Sequence, residues 1–195
     1  MRKVKLQYIM QLVLVMVMVG CTQAPTMKIY SLDVPKVVAV STSLYKNKVL
    51  KVTFPYSLRE QMSEKMNFSY SDSDYGTYLN SEWSNNMSKL LQGTLIDVLS
   101  NSKLFKAVLA DTSTLKENYR LESNIFTFEH RVRGKDSYAD VSMQFTLIDA
   151  DTGKLVTSKR FSYIEPTPTV DARGYAIATN RVMHQLSQDL VTWIK

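Results

Sequence analysis

The sequence has one cysteine and two histidines in 195 residues. A single cysteine excludes an intrachain disulfide and a cysteine-based zinc site. Two histidines leave little for a histidine-rich metal centre. Six glycines and five prolines are too few for a low-complexity or collagen-like chain. No apolar run reaches the roughly 20 residues of a membrane-spanning helix. No GxSxG, Walker A or HExxH motif is present. What remains is an ordinary globular composition, 45% hydrophobic and 22% charged, long enough for one domain.

The N-terminus reads as an export signal. Arg2, Lys3 and Lys5 form a basic start, and Ile9 to Val19 is an apolar run broken only by Gln11. Such a run suits a signal-peptide core rather than an anchor helix. The segment ends Met18-Val19-Gly20-Cys21, which resembles a bacterial lipobox with Met18 in place of the usual Leu. The expected chemistry is diacylglyceryl transfer to the Cys21 thiol, cleavage between Gly20 and Cys21, and acylation of the new amino group. The small Gly20 leaves room in the cleavage site. Two or three acyl chains, at about 0.8 kcal/mol per buried methylene, hold a protein stably on a bilayer. The covalent lipid (diacylglycerol and N-acyl, palmitate-type) is the only prosthetic group expected, with no other cofactor.

The charge follows the same division. The chain carries +6, but three of those charges precede Cys21, which leaves +3 for residues 21–195. No block of Lys and Arg stands out, so nucleic acid is not an expected partner. The organisation read from the sequence is a signal peptide (1–20), a lipidated tether and lead-in segment (21–36) and one α+β domain (37–195).

Within the domain, Ile29 to Leu32 between Pro25 and Pro35 reads as an edge strand. Val37–Val40 and Lys48–Tyr56 are β-branched runs, and Met66, Phe68 and Tyr70 alternate. Residues 69–76 are polar and turn-like. Apolar residues recur at helical spacing from Leu79 through Trp83, Met87, Leu91, Leu95 and Leu99, which predicts a helix capped by Ser81 or Ser84 and ending at Asn101-Ser102. Gly93 in its middle is read as a point of close approach to the sheet. Three alternating segments follow, at 118–131, 137–148 and 154–164. In the first, Tyr119, Leu121, Ser123, Ile125 and Thr127 share a face. In the second, Ala139, Val141, Met143, Phe145 and Leu147 do. Asp149 to Gly153 is a hairpin turn with Gly153 placed for positive φ. A last helix runs from Asp171, its N-cap, to Ile194. The expected architecture is a mainly antiparallel sheet with two long helices packed on one face.

Catalytic and metal-binding readings fail residue by residue. Cys21 is no nucleophile once acylated. His130 and His184 are read as surface or boundary residues. Asp149 and Asp151 sit where a turn wants Asp, and Asp72 and Asp74 lie in a polar loop without a complete calcium-ligand pattern. The chain is therefore read as a non-enzyme without a metal site. Trp83 and Trp193 are read as core residues of the two helices, with contact to a partner or lipid as the alternative. Tyr70, Tyr75 and Tyr78 flank a loop and form a candidate contact surface.

The order of these features resembles the ABC-type transport auxiliary lipoprotein family, the PqiC-like proteins. The matching elements are Cys21, Tyr30-Ser31-Leu32, a Trp-bearing helix from Trp83 to Leu99 leading into Leu104–Val108, Tyr119-Arg120-Leu121 with Phe126 and Phe128-Glu129, the Phe145–Gly153 hairpin, Arg160-Phe161, and Asp189–Ile194. The resemblance implies a non-enzymatic accessory of a lipid transport system. Its partners would be a periplasmic MCE-domain protein with an ABC permease and ATPase, and the membrane bilayer. The cargo would be phospholipids or other hydrophobic molecules. Candidate partner or lipid contacts are Tyr30, Leu32, Tyr75 and Trp83. Ring-like homo-oligomers occur in relatives. The protein would face the periplasm on its lipid anchor, and Thr22, where sorting to the inner membrane would want Asp, points to the outer membrane. Two other readings stay open: a carrier lipoprotein that binds a lipid or ligand itself, and a structural lipoprotein of an envelope assembly.

Overall fold

In this computed structural model, residues 25–57 and 63–195 are described. Gly20 and Cys21, the predicted cleavage and lipid-attachment residues, lie outside them.

The fold is organised by one long strand pair. The strand Tyr119–Arg133, β7 in chain order, pairs antiparallel over its whole length with β8 (Asp136–Asp149), from Tyr119↔Asp149 to Arg133↔Asp136. β8 pairs antiparallel with β9 (Leu155–Pro166). The predicted meander is therefore present. Its second turn is the expected one: Gly153 has φ +68°, and the Asp149 carboxylate accepts from the Thr152 amide and hydroxyl at 2.8 Å each.

The other edge of β7 is where expectation and structure part. Three short strands line up along it end to end: β2 (Val49–Val52), β3 (Tyr56–Ser57) and β4 (Lys65–Ser69). All three run parallel to β7. Outside β2 lies β6 (Ala107–Ala110), also parallel. Outside β4 lies β5 (Tyr75–Trp83), antiparallel, and then β1 (Lys28–Tyr30), parallel to β5. The sheet has nine strands and is mixed, so the expectation of a mainly antiparallel sheet is corrected. Alternation of apolar residues reports which face is buried and carries no information on strand direction. The run Val37–Val40 forms no strand; the Val40 amide donates instead to the Ser102 carbonyl at 2.7 Å.

The first helix, α1, is Met87–Asn101, with Asn86 as its N-cap accepting from the Ser88 amide. The predicted start near Leu79 is thus corrected. Leu79 and Trp83 belong to β5, and Ser84–Asn86 separates strand from helix. Gly93 is exposed with open space around it, so it does not approach the sheet. The second helix, α2, is Ala172–Ile194, and the Asp171 carboxylate accepts from the Gly174 amide at 2.7 Å, as its cap role requires. Among the described residues, no helix is long and apolar enough to cross a membrane.

Both helices bury their apolar stripes in one core. From the sheet come Leu121, Ile125, Phe128, Ala139, Val141, Met143, Phe145 and Leu147; from α1, Leu91, Leu95, Val98 and Leu99; from α2, Tyr175, Val182, Met183, Leu186 and Leu190. Each fully buried side chain of this size contributes about 1.5–3 kcal/mol. The opposite face of the sheet is polar. Thr127 donates to Asp140 at 3.1 Å, Arg160 donates to Ser142 at 2.8 Å, and the Arg160 guanidinium lies 4.0 Å from the Phe126 ring centre. One covered and one wet face is a normal solution for a sheet built around an antiparallel meander.

Candidate functional site

A bulge in β7 decides what the site contains. The register with β8 shifts between Ile125 and Thr127. Before the bulge, Leu121, Ser123 and Ile125 face the helices. After it, the inward residues are Phe128, His130 and Val132, while Thr127 turns outward to Asp140. His130 is therefore 0% exposed. The expectation of a surface or boundary position for it is corrected. His184, by contrast, is exposed on α2.

His130 lies at the inner end of a row of rings. Its Nδ1 and the Tyr78 hydroxyl share a hydrogen bond of 2.7 Å. Its ring stacks on Tyr175, with centroids 5.2 Å apart and planes 5° from parallel. Tyr175 meets Trp83 edge-on at 5.6 Å, and Trp83 meets Phe128 at 6.4 Å. In the other direction Tyr78 lies 5.1 Å from Phe68, and Phe68 lies 5.3 Å from Tyr70. The row thus runs from core to surface.

It surfaces in a cleft of about 770 Å³ bounded by β1, β4, β5 and the start of α2. Tyr30, Phe68, Tyr70 and Tyr78 supply aromatic walls, and Lys28, Asp171 and Arg173 supply charge. The Phe68 ring lies over Gly76, where a Cβ would come within 2.9 Å of Cζ. Glycine is what lets the ring lie flat on the strand.

The polar groups of the row are electrically quiet. Burial pushes the Tyr78 phenol up to about 12, with Asp171 and Tyr70 adding to the rise. Burial also pulls His130 down to about 4, against the opposing pull of Asp171. Both are neutral near pH 7, and His130 Nε2 is buried without a hydrogen-bond partner. This pair does not trade protons near neutrality and instead joins the cleft wall to the core.

Charge clusters lie elsewhere. Arg131, on the outer face of β7, approaches Glu129 at 2.8 Å, Asp72 at 2.6 Å and Asp140 at 3.4 Å. At the far end of the sheet Glu117 lies 2.9 Å from Lys51 and 2.6 Å from Arg120, and these two cations pull its carboxyl down to about 2. Among the described residues, no group of three or more His, Cys, Asp or Glu is arranged to hold a metal ion.

The four contact residues singled out from the sequence do not share one surface. Tyr30 lines the cleft and is half-buried, and Tyr75 is exposed at the start of β5. Leu32 and Trp83 are core residues, 8% and 2% exposed, so neither offers a side chain to a partner in this conformation. Trp193 is half-buried on α2 with its ring edge-on to Phe161. Missed in the sequence were His130, hidden by the bulge, and Phe68 and Arg173 as walls of a cleft. Of the other cleft residues, Tyr30, Tyr70 and Tyr78 were candidate contacts from the sequence, and Asp171 was legible as a helix cap.

The fold is a mixed sheet with two helices on one face and a cleft with aromatic walls. The chain belongs to the ABC-type transport auxiliary lipoprotein component family, whose sequence profile matches residues 30–191. Two solved structures have a similar fold. One is protein XCC0632 from Xanthomonas campestris, of family DUF330, with a TM-score of 0.74 and 19% identity, over 86% of this chain and 93% of that one. The other is an uncharacterised protein with a TM-score of 0.68 and 18% identity, over 87% and 99% respectively. No curated protein matches the sequence.

Proposed function

We propose that the protein is a lipid-anchored, periplasm-facing accessory of an ABC/MCE-type transport system that moves phospholipids or other hydrophobic molecules across the envelope. The observation that carries this reading is membership of a transport auxiliary lipoprotein family over residues 30–191. Cys21 at the end of a signal-like segment agrees with it, and so does Thr22 for an outer-membrane destination. The role is non-enzymatic: the domain docks the MCE-domain protein and contributes no chemistry.

Crosslinking in intact cells followed by purification tests the partner. Recovery of an MCE-domain protein is the expected result, and its absence from the crosslinked material overturns the reading. Cys21→Ala tests the anchor. A processed variant that still fractionates with membranes removes the lipid-anchor reading.

The aromatic cleft favours a second reading, a carrier that holds an amphiphile itself, since its volume lies within the range of ordinary ligand sites. Solvent extraction of the purified protein followed by lipid mass spectrometry distinguishes the two. A stoichiometric lipid supports the carrier.

A further inference from the structure

Two hairpin tips lie at the same end of the sheet. The β4–β5 turn follows Ser69, which pairs with Arg131, and the β7–β8 turn follows Arg133. At them sit Tyr70 and Tyr75, 54% and 73% exposed, and four residues further along β5, up to about 13 Å away, lies Leu79, 86% exposed. Leu79 and Tyr70 both line the cleft with Lys28 and Arg173. Large apolar and aromatic side chains exposed together are unusual on a surface that meets only water.

The lead-in chain comes from the direction of this end and joins the sheet part-way along β5. β1 runs parallel to β5, so the backbone reaches Lys28 from the side of the tips. Cys21 is seven residues before Lys28. At about 3.4 Å per residue, the fully extended span is about 24 Å. That span covers the distance from Lys28, which lies level with Ser81, back to the tips; the end with Leu155 and Val156, after the β8–β9 turn, lies on the other side of Lys28 from the incoming chain.

Charge at the tip end is nearly balanced. Lys28, Arg133, Lys135 and Arg173 are offset by Asp74, Asp136 and Asp171, and Asp72 pairs with Arg131. Attraction to anionic lipid is therefore weak there. Tyrosines with flanking Lys and Arg are instead the residue types that settle at the boundary between headgroups and acyl chains.

We infer that the tip end of the sheet, with Tyr70 and Tyr75 at its centre and Leu79 behind them on β5, is a membrane-contact surface that rests on the bilayer holding the acylated Cys21. The inference builds on the lipid-anchor reading. The short tether holds this end at the bilayer, the three side chains enter the interface, and the cleft opens towards the lipid. The opposite end, with Leu155 and Val156, points into the aqueous space.

The test uses the lipidated full chain in phosphatidylcholine vesicles. A nitroxide is placed on single added cysteines, Tyr75→Cys at the tips, Leu79→Cys behind them, and Leu155→Cys and Val156→Cys as controls; acylation leaves the Cys21 thiol unreactive. All four side chains are exposed, so the substitutions spare the core. Accessibility to a water-soluble nickel chelate is read against oxygen. The expected result is several-fold protection from the chelate at 75 and 79 relative to 155 and 156, unchanged when phosphatidylglycerol is added. Equal accessibility at all four positions in protein that floats with the vesicles overturns the surface and leaves the anchor intact. Failure of the lipidated protein to float overturns the anchor, and the surface with it.

Discussion

The Tyr78 hydroxyl and Nδ1 of His130 are 2.7 Å apart, and through that bond the wall of the cleft is fixed to the buried face of β7. Tyr78 stands on β5 and His130 on β7, with β4 between them. The contact therefore ties the outer strands of this end to the central pair. It also places a titratable ring at the centre of the aromatic row.

Protonation of His130 should destabilise the fold. Burial lowers it to about 4, whereas the unfolded chain has an ordinary value near 6.5. Between these values the unfolded state binds more protons, so stability falls as pH falls through that window. The loss is about 2 kcal/mol at pH 5 and at most about 3 by pH 4. Urea unfolding from pH 7.5 to 4 measures it, and His130→Gln should flatten the slope. An unchanged slope in that variant refutes the assignment.

A second, more acidic window belongs to Glu117. Arg120 and Lys51 hold its carboxyl at about 2, so its contribution is present above about 4.5 and lost as pH falls towards 2. Glu117→Gln should cost about 1–2 kcal/mol at pH 7, between the worth of exposed and buried pairs, because the site is partly screened. The same variant should lose acid sensitivity below pH 4.5 and leave the His130 window untouched. A combined pH series on both variants separates them.

What the sequence made readable follows from which signals are local. β8 keeps strict alternation from Ala139 to Leu147, so its buried face was plain. Asp171 announces α2 because capping needs only the three residues that follow it. The phase of β7 was lost after Ile125, since a bulge inserts a residue without any composition mark. That one shift hid His130. Leu79, Trp83 and Met87 have helical spacing by coincidence: Trp83 is buried from a strand and Leu79 is not buried at all. The parallel pairing of β2, β3 and β4 to β7 depends on contacts distant in sequence. The cleft was unreadable for the same reason, because its walls come from β1, β4, β5 and α2.

Trp83 offers a direct check on its strand assignment. Its ring sits between Phe128 and Tyr175. Trp83→Ala should cost about 3–5 kcal/mol, as large aromatic deletions from cores do. Trp193→Ala, at the half-buried margin beside Phe161, should cost clearly less. Thermal or urea unfolding of the pair gives the ranking. Equal losses would mean that Trp83 is not the buried member.

The two helical glycines should respond in opposite directions to the same substitution. At Gly174, on the first turn of α2, an added Cβ would collide with the Thr169 carbonyl oxygen and crowd its Oγ1. The obstacle is backbone, held in place by the Asp171 cap, which accepts from both Thr169 and Gly174. Gly174→Ala should therefore cost about 3 kcal/mol through overpacking and loss of the cap. At Gly93, in the middle of α1, nothing lies within 4 Å of a new Cβ and the residue is exposed. Gly93→Ala should stabilise the protein by about 0.5–1 kcal/mol, because alanine has less backbone freedom to lose in a helix. Chemical denaturation of both variants reads the two signs directly. A destabilised Gly93→Ala would show that α1 needs the glycine for a contact the present fold does not contain.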